Sequence, residues 1–173
     1  NMPKKTIVHV RDQYIKVTFL YFILLGLKKI NNVYFCREVV KDDTLNMPFK
    51  NIMKTKEIDN ILYYFNKFGQ KYFKFKTKII DDTFLQIKYL SKLKDKFIIH
   101  AHMGHQGYYS IGLKNYFKCP LVVTFYGADM SSLAKYQVWK KNYKKLFKEA
   151  DMLFVEGKIM QHELIKLGAP LEK

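Results

Sequence analysis

Three histidines lie close together in the second half of the chain. His100 and His102 are two positions apart in an apolar segment, and His105 follows shortly after. Side chains alternate along a strand with a period of two, so His100 and His102 are predicted to share one face of a strand. Such a pair can bind a polar substrate or contribute ligands to a metal site.

A metal site would need further ligands from other strands. The remaining histidines are His9 and His162, so ligands are scarce. We therefore expect no metal, a polar substrate-binding role for His102 at the end of the strand, and a hydrogen-bonded structural role for His100. A metal-dependent hydrolase that uses His100 and His102 is kept as an alternative.

A second polar cluster follows another apolar segment. The sequence T-F-Y-G-A-D, residues 124–129, brings a hydroxyl, a flexible glycine and a carboxylate to the end of a predicted strand. Gly127 permits close approach of the backbone to a ligand. Asp129 either caps the next helix or takes part in the function, and the residues alone leave both interpretations open.

The elements that position these clusters alternate between strand-like and helix-like patterns. Strands that are apolar throughout and separated by helices are typical of a parallel sheet covered on both faces. We predict a doubly wound, mostly parallel α/β sheet in one domain, residues 2–173. Ligands bind such sheets beyond the carboxyl ends of the strands. No P-loop or G-x-G-x-x-G motif follows the predicted strands, and the candidate loops are 11–15, 103–108, 126–132 and 156–157.

Hydrophobic periodicity and helix-ending glycines give the bounds of these elements. Gly69 and Gly168 each follow a helical pattern directly. The predicted strands are 7–10, 33–40, 97–102, 121–125 and 152–155, with an exposed strand at 72–80. The predicted helices are 17–30, 58–68, 84–93, a segment reaching residue 117, 132–150 and 158–167.

The chain is strongly basic. Its 173 residues include 31 Lys and Arg against 15 Asp and Glu, a formal net charge of +16. All but Arg11 and Arg37 are lysine, whereas bidentate contacts with phosphates and bases favour arginine, so we expect no nucleic-acid partner. Helix 132–150 is either a surface helix packed on the sheet or a face that docks on an anionic membrane. Its basic side carries Lys140, Lys141, Lys144, Lys145 and Lys148.

Cysteine usage and hydropathy bear on the cellular compartment. Cys36 and Cys119 are far apart, which excludes a disulfide scaffold and a CxxC-type site. The longest apolar run, 17–27, is shorter than the roughly 20 residues of a membrane span. We expect a cytoplasmic protein, with peripheral contact at the inner face of the membrane as an option.

Both polar clusters together, in this order, resemble glycosyltransferase family 4. The similar segments are F-I-I-H-A-H-M-G-H-Q-G-Y (97–108), P-L-V-V-T-F-Y-G-A-D-M-S (120–131), F-K-E-A-D-M-L-F-V-E-G-K-I-M (147–160) and L-I-K-L-G-A-P-L-E-K (164–173). The resemblance implies a GT-B enzyme with two Rossmann-like domains. It covers the N-terminal, acceptor-side domain, and no segment of this chain matches the C-terminal, donor-binding domain.

The resemblance also implies roles for individual residues. His102 and Gly104 fall in the family's H-A-H-x-G loop, and Tyr126 falls in its T-F-H-G-x-D loop, where it replaces a histidine. Arg11 stands where many relatives have a glycine-rich turn near the donor diphosphate. The candidate catalytic residues are His102, Tyr126 and Asp129, and the candidate substrate-binding residues are Arg11, Gly104, His105, Gly127 and Glu156.

The activity that the resemblance implies is retaining transfer of a hexose from a nucleotide-sugar donor. The acceptor would be a glycan or a lipid-linked sugar in surface polysaccharide or glycolipid assembly. The departing phosphate accepts the proton of the acceptor, so the nucleotide sugar is a co-substrate and no metal or other cofactor is required. We expect the chain alone to be inactive. The alternative from another class is a non-catalytic basic module that binds a membrane or polyanion through helix 132–150.

Overall fold

In the computed structural model, the described part of the chain forms one sheet of six parallel strands. The structure describes residues 5–14, 27, 30–39, 52–54, 82–93 and 96–173. The strand order is β3-β2-β1-β4-β5-β6, and every pairing is parallel. The strands are β1 (Thr6–Tyr14), β2 (Asn31–Val39), β3 (Ile52–Lys54), β4 (Phe97–His102), β5 (Leu121–Thr124) and β6 (Met152–Phe154).

Helices connect or follow the strands of the second half. The described helices are α1 (Asp82–Leu90), α2 (Gly104–Phe117), α3 (Ala128–Ser131), a 3₁₀ turn (Leu133–Lys135), α4 (Gln137–Glu149) and α5 (Lys158–Lys166). The strand order reverses between β1 and β4, which is where an open parallel sheet forms a ligand crevice. The fold is the predicted doubly wound, Rossmann-like α/β fold.

One face of the sheet forms the hydrophobic core. The paired residues Val8, Ile99 and Leu121 are all fully buried on this face. Helix α2 packs closely on it, because a Cβ added at Gly107 would lie 2.8 Å from Val123. Helix α4 covers α2 in turn with Leu146, which is also fully buried.

Several predicted bounds are confirmed where the chain is described. Strand β4 has the predicted bounds, and β2, β5 and β6 differ from their predicted ranges by no more than two residues at either end. Gly168, with a φ of 102°, follows the last helix, and the amide of Ala169 donates to the carbonyl of Leu164 at 3.1 Å. This left-handed glycine ends the helix as predicted.

Other predicted bounds are wrong. The loop expected at 11–15 is strand as far as Tyr14, because Arg11 pairs with Cys36 and Tyr14 with Val39 of β2. The polar residues in this part of β1 do not form an apolar pattern, so the strand was not predicted there. The hydrogen bonds between paired strands use backbone atoms and form regardless of side-chain type.

The prediction of a loop at 103–108 is also wrong, since α2 begins at Gly104. Glycine disfavours helix, yet here it permits the close packing of α2 on the sheet. Strand β3 was not among the predicted strands. The predicted helices 17–30 and 58–68 and the predicted strand 72–80 lie wholly or mostly outside the described residues.

Candidate functional site

Strands β1 and β4 bring three imidazole rings together on the sheet face opposite the core. His9 pairs in register with His100, and His102 lies two residues further along β4. The ring centroids are 4.3 Å apart for His100 and His102, 5.3 Å for His9 and His102, and 5.4 Å for His9 and His100. His9 and His102 are fully buried, whereas His100 is partly exposed.

Hydrogen bonds link these rings to the next strand. Nδ1 of His9 lies 3.1 Å from Nε2 of His102, and Nδ1 of His102 lies 2.7 Å from the phenol oxygen of Tyr126. Nε2 of His100 lies 2.8 Å from the hydroxyl of Thr124. The predicted hydrogen-bonded role of His100 is consistent with this contact, and His102 and Tyr126 meet where β4 and β5 end.

Burial keeps His100 uncharged. Desolvation, with a smaller contribution from nearby His9, lowers the pKa of His100 from 6.5 to about 3. At neutral pH this imidazole is therefore neutral, and it can donate a hydrogen bond from one nitrogen and accept one at the other.

The three histidines are also a candidate metal centre. Each of His9, His100 and His102 offers one ligand atom, and these atoms lie within 4.8 Å of one another. Zinc–nitrogen bonds of about 2.0 Å would require the atoms to approach one another at somewhat shorter spacing. The sequence argument against a metal rested on the scarcity of ligands, and the register of β1 and β4 supplies His9 as a third. The expectation that no metal is needed stays a prediction.

The carboxylate of Asp129 ties the two candidate loops together. Its Oδ2 accepts a hydrogen bond from the amide of Gly104 at 2.6 Å, and its Oδ1 accepts one from the amide of Tyr126 at 3.1 Å. Asp129 is 1% exposed, and Tyr143 donates its hydroxyl to the Asp129 carbonyl at 2.9 Å. Helix α3 has no side-chain cap. The carboxylate thus serves the start of α2. Of the two interpretations that the residues left open, capping of the following helix is not seen in the structure, and a part in the function stays a prediction.

Two residues near the carboxyl ends of β4 and β5 have left-handed backbone. Met103, directly after β4, has a φ of 83°, and Gly127, after β5, has a φ of 90°. A non-glycine residue in this region is strained, and such residues cluster at functional sites. Among the described residues, no atom lies within 4 Å of a Cβ added at Gly127, so this glycine serves the turn and not close packing against them.

The remaining candidate residues lie on three different parts of the fold. Arg11 lies within β1, where only its backbone is described. His105 lies in the first turn of α2, and its ring meets Trp139 of α4 edge to face, with centroids 6.2 Å apart. Glu156 is exposed between β6 and α5. His9 was not among the predicted site residues. The only feature of the sequence that could have indicated its place in the site was its position in a β-like segment.

Helix α4 is amphipathic as predicted. Tyr143, Leu146 and Phe147 are buried, whereas all five lysines of the predicted basic side are exposed. At the start of the helix, Tyr136 is 63% and Val138 is 62% exposed. Within the part of the chain that the structure describes, no helix has the length and apolar character needed to cross a bilayer.

The sequence of this α/β, Rossmann-like chain matches a known protein in part. No family model matches the chain. Over 52 residues the chain is 38% identical to the amylovoran biosynthesis glycosyltransferase AmsK of Erwinia amylovora. The match covers 30% of this chain and 13% of that protein. The chain is thus similar, over a short stretch, to a glycosyltransferase.

Proposed function

We propose that the chain is the acceptor-side domain of a retaining glycosyltransferase of family 4 with the GT-B fold. The whole enzyme would move a hexose from a nucleotide-sugar donor to a glycan or lipid-linked acceptor. Its place would be surface polysaccharide or glycolipid assembly at the cytoplasmic face of a membrane. A second Rossmann-like domain outside this chain would bind the donor and form the opposite wall of the crevice.

The observation that carries the proposal is the meeting of the two sequence clusters. His102 ends β4, Tyr126 follows β5, and the two side chains lie 2.7 Å apart beside the point where the strand order reverses. Ligands of open parallel sheets bind at this point. The partial identity with a glycosyltransferase over 52 residues supports the same class of enzyme.

The roles of the residues follow from their chemistry. Partly exposed Tyr126, after β5, can orient a sugar hydroxyl, and fully buried His102, at the end of β4, holds its phenol group in place. Asp129 holds the amides of Gly104 and Tyr126 and so fixes the shape of the site. A phenol is a poor base at neutral pH, so proton transfer to the departing phosphate suits this site better than transfer to Tyr126.

The test is sugar transfer by the full-length protein. Incubation with a panel of nucleotide sugars and candidate acceptors should release nucleoside diphosphate together with glycosylated product, whereas residues 1–173 alone should give none. We expect His102→Ala to lower transfer by at least about a hundredfold. His162→Ala, at an exposed position of α5, is the matched control and should retain activity. Turnover by residues 1–173 alone, or full activity of His102→Ala, would contradict the proposal.

A second candidate function is supported by helix α4. Its exposed lysines, together with exposed Tyr136 and Val138, suit a surface that binds an anionic membrane or polyanion without catalysis. This function could also accompany the transferase activity as a peripheral membrane contact.

The third candidate is a metal-dependent hydrolase at the histidine cluster. The spacing of the ligand atoms of His9, His100 and His102 supports it. Elemental analysis of protein purified without chelators distinguishes the candidates. Stoichiometric zinc or manganese that is lost in His9→Ala would favour the hydrolase, and its absence would favour the transferase.

A further inference from the structure

A series of hydrogen-bonded side chains leads from the core to the edge of the candidate site. It begins at His9 and passes through His102, which are both fully buried, to Tyr126, which is partly exposed. The two linking distances are 3.1 Å and 2.7 Å. The ring planes are inclined by only 19° between His9 and His102 and 18° between His102 and Tyr126. His9 therefore influences the site without reaching its surface.

The chemistry of the side chains favours one direction of the hydrogen bonds. A phenol is a stronger acid than a neutral imidazole, and hydrogen bonds donated by hydroxyl groups are typically about 2.7 Å long. In the arrangement that this chemistry favours, the phenol of Tyr126 donates to Nδ1 of His102, and His102 carries its proton on Nε2 and donates it to Nδ1 of His9.

We propose that His9 is a positioning residue that acts through His102 to present the phenol oxygen of Tyr126 as a hydrogen-bond acceptor for a sugar hydroxyl. By accepting at Nδ1, His9 fixes the tautomer of His102. That tautomer leaves Nδ1 of His102 to accept the phenol proton, so the oxygen of Tyr126 presents lone pairs to the ligand. This inference rests on the proposed function for the identity of the ligand, but the tautomer of His102 does not depend on it.

A second contact holds the same side chain in place. The amide of Tyr126 donates to the carboxylate of Asp129, which also binds the first amide of α2. The backbone and the phenol of Tyr126 are therefore both held, and the orientation of the oxygen is set before a ligand arrives. Such preorganisation lowers the cost of binding.

The direction of the bonds selects the chemistry of the ligand. A phenol oxygen whose proton is already donated offers lone pairs, which a hydroxyl can use and a fully ionised phosphate cannot. Tyr126 should therefore recognise a hydroxyl of the acceptor sugar and not the diphosphate of the donor. A histidine at this position could instead donate a hydrogen bond to a phosphate.

The first experiment measures the tautomer of His102 by long-range ¹H–¹⁵N correlation NMR of the 173-residue chain. We expect the Nε2–H form alone in the wild type, a mixture in His9→Leu, and the Nε2–H form again in His9→Asn, whose amide oxygen can accept near the position of Nδ1. Thr124→Val, which removes the partner of His100, is the control and should leave the His102 spectrum unchanged. An Nδ1–H form in the wild type, or an unchanged spectrum in His9→Leu, overturns the proposal. If His9→Leu does not fold, the wild-type spectrum still tests the proposal, because it shows which nitrogen of His102 carries the proton.

The second experiment measures transfer kinetics of the full-length protein. We expect His9→Leu to raise the KM for the acceptor about tenfold, as the loss of one hydrogen bond predicts. The KM for the donor should stay unchanged, and His9→Asn should restore most of the loss. Tyr126→Phe should match His9→Leu, and the double variant should be no worse than either. An equal change in both KM values overturns the proposal, whereas absence of transfer in the wild type contradicts only the proposed function.

Discussion

At the scale of single residues, burial determines the charge of His100. The pKa of His100 falls from 6.5 to about 3 because the folded protein desolvates its imidazole. Below pH 6.5 the unfolded chain takes up a proton at this position that the native protein does not. The native state therefore loses stability as the pH falls from 6.5 towards 3.

The first prediction concerns this pH dependence. The free energy of unfolding should decrease through His100 by about 1.4 kcal/mol per pH unit below 6.5. Urea denaturation at pH 7, 6, 5 and 4 measures it, and His100→Gln, which cannot titrate there, should show a flatter profile by that amount. Equal slopes for the two proteins would show that His100 is protonated in the native state.

The second prediction concerns the carboxylate of Asp129. Asp129→Ala removes the acceptor of two backbone amides at a position that is 1% exposed. We expect it to destabilise the protein by about 3 kcal/mol, because both amides lose a charged partner. Asp129→Asn keeps one acceptor oxygen and should cost less. Glu172→Ala makes the same change of charge at an exposed position and should be near neutral, as thermal denaturation can check.

At the scale of elements, the start of α2 depends on Gly104, because glycine has no side chain. A Cβ at Gly104 would lie 2.2 Å from Cε1 of Phe125. Phe125 is fully buried and cannot move away easily, because its ring meets Tyr143 and Phe147 at centroid distances of 5.7 Å and 6.1 Å. Glycine at this position lets α2 begin directly after β4 and brings its first amide to Asp129.

The third prediction follows from this contact. Gly104→Ala should lower the free energy of unfolding by about 2 kcal/mol, the usual cost of overpacking a core. Gly157→Ala is the matched control, since no atom of the described residues lies within 4 Å of its added Cβ and its backbone is extended. Equal melting temperatures of Gly104→Ala and the wild type would mean that α2 can shift without cost.

At the scale of the whole molecule, the net charge of +16 can attract an anionic partner either as a diffuse field or through one localised surface. Helix α4 gathers five exposed lysines next to the exposed apolar residues Tyr136 and Val138. A localised surface binds an anionic membrane through several lysines at once, each contributing about 1 kcal/mol near the bilayer.

The fourth prediction separates these two cases. Replacing Lys140, Lys141, Lys144, Lys145 and Lys148 with Gln should weaken binding to phosphatidylglycerol vesicles by at least about tenfold in a sedimentation assay. The control carries the same loss of charge at Lys88, Lys92, Lys96, Lys118 and Lys158, which are exposed elsewhere. A similar loss of vesicle binding in both variants would indicate diffuse electrostatic attraction. If the wild-type protein does not bind the vesicles, the proposed membrane contact is wrong.

Local patterns predicted much of the second half of the molecule. The strand at 97–102 and the amphipathic character of α4 were correct, because an unbroken apolar run and a helical stripe are both short-range signals. The polar end of β1 and the three-residue β3 were missed, since their pairing with β2 depends on a neighbouring strand.

The sequence by itself determined the class of fold, the strand that carries His100 and His102, and the left-handed glycine after α5. Only the tertiary structure decided that His9 joins His102, which is 93 positions away, and that Asp129 serves α2 instead of α3. The physical reason is that periodicity along the chain sets the elements, whereas strand order and register set which side chains meet. In a parallel sheet these depend on crossover connections that no local pattern encodes.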